Sequence, residues 1–241
     1  PQTRPEPVAT ADIVASDRPP IRLSKVSLTR GAGAHVLNNV SLIIHPRECV
    51  GIIGASGSGK SSLAGLLTGQ LKADSGLVSI AGHSVTSIPH ESLFSQLAYL
   101  TQQTDLFSTT IADNLRIADS GDSRTGTAKL WAVLEAVELA EFVDHCPEGL
   151  DTWVGESGTR LSQGQARRLA LARLLLRDPP AVLLDEPFSG LDTKTAGKIS
   201  NYLANWCQGR ATLLLGHDRK VLPPADRWFL LHHGDLKPLE S

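Results

Sequence analysis

Residues 54–62 read GASGSGKSS, and the fold is decided here. The stretch fits the spacing G-x-x-x-x-G-K-[ST], with the apolar run CVGII (49–53) before it and a helical pattern from Gly59 to Thr68 after it. Strand, loop and helix in that order are the setting a phosphate-binding loop requires. Its glycines let the backbone turn N–H groups toward an anion, and the helix start adds roughly half a positive charge. Gly54, Ser56, Gly57, Ser58, Gly59 and Ser62 are therefore expected to wrap a nucleotide's phosphates, with Lys60 on the β- and γ-phosphates and Ser61 on Mg2+. By itself the loop says only P-loop NTPase, and a kinase, GTPase, helicase or motor fits it equally.

Outward from the loop, PAVLLDEP (180–187) is a short apolar run ending in two carboxylates, the pattern of a central parallel strand. ATLLLGHD (211–218) is a second such run, ending in a histidine. Ligands of open α/β sheets sit at the carboxyl ends of such strands. Asp185 suits a Mg2+ contact there, and Glu186 beside it can polarise a water. Upstream, IRLSKVSL, VLNNVSLIIH and CVGII read as three strands of one small sheet, and LVSIAG (77–82) as a further strand and turn. From about Glu91 to Arg177 the character is helical, as in KLWAVLEAVELAEFV.

A second anion site follows from GTRLSQGQA (158–166), which runs into RRLALARLLLRD. Ser162 is a good N-cap, Gly164 exposes backbone in the first turn, and Gln163 and Gln165 offer neutral donors. One chain thus carries two phosphate cradles.

LSQGQ, then LLDEPFSGLD, together with the P-loop resemble the signature, Walker B and D-loop of the ATP-binding cassette (ABC) ATPases. The resemblance spans about Pro20 to Leu236 and implies an α/β fold: a RecA-like parallel-sheet core, an N-terminal antiparallel β subdomain and an α-helical signature subdomain at about 91–177. Residues 1–19 would be a linker from an absent transmembrane domain and 20–241 the cassette. In that family two cassettes pair head to tail, so Ser162, Gly164 and Gln165 would cap the γ-phosphate of a neighbour's ATP. YLTQQTDLFSTTIADN (99–114) looks like the Q-loop, with Gln102 placed to sense Mg2+ and the attacking water. Ser189 to Asp192 match the D-loop, with Asp192 toward nucleotide, and His217 matches the switch histidine that holds Glu186 and the water.

TWVGESG (152–158) is similar to the TxVGExG loop of exporters, where Glu156 and the Gln102 loop would meet the transmembrane domains. The implied setting is the cytoplasmic face of the inner membrane. Trp153 and the ARRLALAR run are similar to the half transporters that export cysteine or glutathione for cytochrome bd assembly and act as heterodimers; a lipid or multidrug exporter is the alternative. Three positions depart from the family pattern. VSLTR places Arg30 where an aromatic residue usually stacks on adenine, Arg47 replaces a usual glycine, and Gln163 replaces the second glycine of the signature. A guanidinium can lie on a purine as a ring does.

Composition narrows the partners. Lys and Arg (23) nearly balance Asp and Glu (25) in 241 residues, which argues against nucleic acid or an anionic membrane surface as a bulk electrostatic partner. Cassette proteins acting on DNA or ribosomes should show a coiled-coil insertion or basic arms, and neither is present. A cassette that binds ATP without turnover would not need Glu186 and His217. Cys49, Cys146 and Cys207 read as free thiols, and His232-His233 as a solvated loop pair rather than a metal site. The chain has no Met and opens on a Pro-rich polar stretch, which reads as a linker from something longer.

Overall fold

The computed structural model describes residues 20–30, 34–118 and 126–240. The expected linker at 1–19 and most of the GAGA turn, at 31–33, lie outside the described residues.

β1 (Ile21–Arg30) and β2 (Ala34–Ile44) form an antiparallel pair, with alternate residues of β1 buried as a one-faced sheet demands. β3 (Cys49–Ile53) does not join them. Expected as the third strand of the small sheet, it runs instead in the middle of a second sheet. CVGII is buried on both faces, and such a strand needs neighbours on both sides. Gly51 makes the placement possible, since a Cβ there would come within 2.3 Å of the Trp228 ring. The P-loop leads from β3 into α1 (Lys60–Leu67), and β4 (Ser75–Ile80) and β5 (His83–Ser84) complete the first sheet in the order β2-β1-β4-β5.

The stretch expected to be helical in character, about 91–177, also holds a strand. α2 (His90–Gln96) gives way at once to β6 (Leu97–Leu100), because Leu97 already has extended backbone and LAYL buries three of its four side chains. Helices then dominate: α3 (Ile111–Arg116), α4 (Thr127–Ala136), α5 (Ala140–Asp144) and α6 (Gln163–Arg177). β7 (Ala181–Asp185), α7 (Thr193–Cys207), β8 (Ala211–Gly216) and a hairpin of β9 (Arg227–His232) with β10 (Asp235–Leu239) finish the chain. The second sheet reads β10-β9-β3-β8-β7-β6, parallel except for the β10 edge. His232 closes β9 and His233 lies in the turn, so the pair is half strand, half loop.

Period-two alternation along the core strands feeds two hydrophobic clusters, one on each face of the six-stranded sheet. Val50, Ile52, Leu183, Leu213 and Leu215 pack toward the antiparallel sheet and α1, while Val182, Leu184 and Leu214 pack toward α4, α6 and α7. Each fully buried Leu contributes about 1.5–3 kcal/mol, which is what fixes the strand register beneath the site. Among the described residues no helix is long and apolar enough to cross a membrane.

Candidate functional site

β3, β7 and β8 end side by side, and the loops leaving them build the site. Gly54 donates its N–H to Gly216 O at 3.2 Å, tying the P-loop to the end of β8. Gly59 caps α1 at φ +109° with Val36 O only 2.7 Å from where a Cβ would stand, so this position accepts little but glycine. Gly57, at φ +78°, faces open space. Lys60 is 8% exposed, and its Nζ donates to Gly54 O at 2.6 Å and Ala55 O at 3.0 Å. Burial pulls the Lys60 pKa down, while the charges of Glu186 and Asp185 hold it up. The Ser58 hydroxyl is buried without a hydrogen-bond partner.

A cavity of about 480 Å³ opens above this loop. Its walls bring together Ser56, Gly57, Gly59, Lys60, Ser61 and Ser62 with Arg30, Gln102, Asp185, Glu186 and His217. Asp185, the last residue of β7, is 2% exposed and accepts a hydrogen bond from the Tyr99 hydroxyl at 3.4 Å. Burial first, and then the neighbouring Glu186 charge, raise its pKa. A buried carboxylate beside a serine hydroxyl and an amide is an all-oxygen donor set, which suits a hard cation such as Mg2+. Glu186 stands at φ +46°, left-handed backbone that costs an ordinary residue about 1–2 kcal/mol. Its N–H is anchored on Leu215 O at 2.9 Å, and its carboxylate takes Gln102 Nε2 at 3.4 Å and faces His217 Nδ1 at 3.5 Å.

Six of the expected site residues do not line that cavity: Gly54 and Ser58 of the P-loop, and Ser162, Gly164, Gln165 and Asp192. Ser162 is exposed at the start of α6, accepting from Gln165 N–H at 3.2 Å while Gln165 Oε1 accepts from Ser162 N–H at 2.8 Å. This reciprocal capping box leaves the helix end facing solvent. Gly164 backs onto Gly190 O, where a Cβ would stand 2.8 Å away. Asp192 caps α7 by accepting from Thr195 N–H at 2.9 Å, and that contact holds its carboxyl below the usual range. Ser189, Gly190 and Leu191 line a second cavity, of about 450 Å³, that shares Glu186 and His217 with the first.

The loops bearing Gln102 and Glu156 run side by side. Thr110 bridges Trp153, Ile111 N–H donates to Thr152 O at 3.0 Å, and Ser157 N–H donates to Ser108 Oγ at 3.1 Å. Phe107 and Trp153 are exposed on these loops, as is Ile117 at the end of α3. Sequence reading missed Tyr99 and the fully buried Arg167; LAYL is too short and too uniformly apolar to mark the former, and ARRLALAR hides the latter in an ordinary amphipathic pattern.

A phosphate-binding loop after β3, paired carboxylates after β7 and a histidine after β8, on a mixed sheet with a helical insert between β6 and β7, define the ATPase domain of the ATP-binding cassette type, a variant of the P-loop NTPase fold. Residues 37–189 match the ABC transporter family, and the chain belongs to it. Among its relatives, the ATP-dependent lipid A-core flippase of Dechloromonas aromatica is 39% identical over 204 residues, 85% of this chain and 34% of the flippase. The cyclolysin secretion/processing ATP-binding protein of Bordetella pertussis is 37% identical over 220 residues, 90% of this chain and 30% of that protein. A solved structure of a bacterial Atm1-family ABC exporter with ATP bound superposes with a TM-score of 0.84 at 30% identity, covering 95% of this chain and 40% of that one. The chain therefore spans about a third of the length of the curated relatives it matches, and it is an exporter-type ATP-binding domain.

Proposed function

We propose that this chain hydrolyses ATP at the cytoplasmic face of the inner membrane, as one of two cassettes paired head to tail beneath the transmembrane domains of an exporter. The observation that carries the reading is the separation of its two cradles. Lys60, Asp185, Glu186, Gln102 and His217 share one cavity, whereas Ser162 and Gly164 are not among its walls and Ser162 is exposed, open to a nucleotide held by another cassette.

In this reading the P-loop N–H groups and Lys60 hold the phosphates, and Arg30 lies on the adenine. Ser61, Asp185 and Gln102 hold Mg2+, which offsets the phosphate charge when bound. Glu186 accepts the proton of the attacking water, a role worth about 10²- to 10⁴-fold. Gln102 and His217 keep its carboxylate aimed, and Asp192 stiffens the D-loop that runs along the partner. The packed loops of Gln102 and Glu156, with Phe107, Ile117 and Trp153 beside them, are suited to receive intracellular loops of the transmembrane domains. Residues 1–19 serve as the linker, and 20–241 as the cassette, with its helical part beginning after β6.

Two cargo readings have support. Trp153 and ARRLALAR favour a thiol exporter, cysteine or glutathione, serving cytochrome bd assembly, and with it a heterodimeric partner. The lipid A-core flippase relatives favour a lipid cargo about as well. The test of the ATPase itself is Glu186→Gln in an assembled transporter whose other ATP site is already disabled: ATP binding is expected to persist while turnover falls at least about 10²-fold. Near-normal turnover would sink the reading.

A further inference from the structure

We propose that Arg167 is a positioning residue for hydrolysis, aligning Glu186 and Gln102 of its own cassette through their main-chain carbonyls. Arg167 lies on α6, is 1% exposed, and has no carboxylate within ion-pairing distance among the described residues. Its guanidinium instead gathers five carbonyl oxygens from two segments. Nε donates to Pro187 O at 3.3 Å, and Nη2 to Asp185 O and to Glu186 O at 2.7 Å. Nη1 donates to Thr101 O and to Gln102 O at 3.4 Å.

These carbonyls stand at or just past the ends of β6 and β7, and among them Glu186 O also accepts from Ser189 N–H at 3.0 Å. Glu186 keeps its N–H on Leu215 O of β8 but turns to φ +46°, and the oxygens of 185–187 all meet the Arg167 guanidinium; those of 101 and 102 stand just past the end of β6. A buried carbonyl without a donor costs about 1–3 kcal/mol, and Arg167 satisfies all five with one planar group. In doing so it fixes the strained backbone of Glu186 relative to that of Gln102, and with it the 3.4 Å approach of their side chains. A lysine ammonium offers three donors from a point and cannot span both segments. Arg167 also stands five residues after Ser162, about 7.5 Å along a rigid helix, so the end of α6 that faces the partner and the base of this chain's own site are mechanically one piece.

The proposal rests on Glu186 being the general base, and the test separates the two. In an assembled transporter whose other ATP site is already disabled, Arg167→Gln is expected to lower kcat about ten- to a hundredfold, as loss of alignment near 1 Å does, with ATP affinity and KM within threefold of the same transporter carrying Arg167. Arg167→Lys should fall between. A kcat within threefold of wild type for Arg167→Gln, or a loss carried by affinity instead, overturns it. With the other cassette's site left intact, adding Arg167→Gln to a cassette that already carries Glu186→Gln should cost nothing more, because the remaining site uses the other cassette's carboxylate. A further loss there assigns Arg167 to the signature end or to the fold and overturns the proposal, as does failure of both Arg167 variants to assemble. Near-normal turnover of Glu186→Gln alone, with the other site disabled, would identify the general-base assignment as the error.

Discussion

Replacing Asp185 with asparagine should stabilise the nucleotide-free protein while removing its response to Mg2+ and ATP. The carboxylate is 2% exposed at the end of β7, and its hydrogen bond comes from a neutral phenol at 3.4 Å. Burial, and after it the Glu186 charge, raise its pKa above the ordinary range. The sign follows from that direction. A carboxyl with a raised folded pKa costs nothing while protonated, and it destabilises increasingly as pH climbs through the raised value. Asparagine keeps the shape and the acceptor for Tyr99 but carries no charge. Relieving a buried charge of this kind is worth at least about 1 kcal/mol, or about 2–4 °C in Tm for a chain of this size. Thermal unfolding followed by circular dichroism between pH 4.5 and 8, without nucleotide, should show Asp185→Asn melting higher at neutral pH and the gap closing toward acid. With Mg2+ and ATP at about a hundred times Kd, the wild type should gain about 2.7 kcal/mol and overtake the variant. A variant that melts lower at neutral pH without ligand, or a gap that ignores pH, would refute the reasoning.

Arg30 lines the nucleotide cavity from the end of β1, and Arg30→Ala should weaken ATP and GTP alike by about two- to thirtyfold in equilibrium titrations, the range of a cation–π contact; unchanged affinities would return Arg30 to the surface. The three cysteines should separate by burial: the buried Cys207 thiol is pushed up to about 11 and Cys49 is raised further, while Cys146 is half-buried. A thiolate-directed reagent at pH 8 should therefore label one cysteine quickly in the folded protein and three in denaturant, and rapid labelling of all three without denaturant would contradict the packing.

What could be read in advance tracks how local the physics is. The P-loop, the two carboxylates after β7 and His217 after β8 were legible because each is a fixed chemical pattern at the end of an apolar run. β3 could be read as buried but not assigned to its sheet, because nothing in CVGII names Leu213 and Trp228 as its neighbours. β6 was lost inside a helical-looking stretch because four residues are too few to show a period, and the β9–β10 hairpin and α7 were passed over. Arg47 was noted as standing where a glycine is usual, and the reason is conformational: it lies at φ +64°. Arg167 gave no signal, since the carbonyls it satisfies come from segments about twenty and sixty-five residues away.

The head-to-tail sharing of sites is tested most directly by complementation between two cassettes of one transporter. One arrangement pairs a Lys60→Ala cassette with a Ser162→Arg cassette; the other places both changes in one cassette and leaves its partner intact. If each site joins the P-loop of one cassette to Ser162 of the other, the first arrangement keeps one whole site and about half the ATPase activity, and the second keeps none. Activity surviving in the second arrangement and lost in the first would mean that each cassette hydrolyses ATP with its own two cradles, and would contradict the composite site.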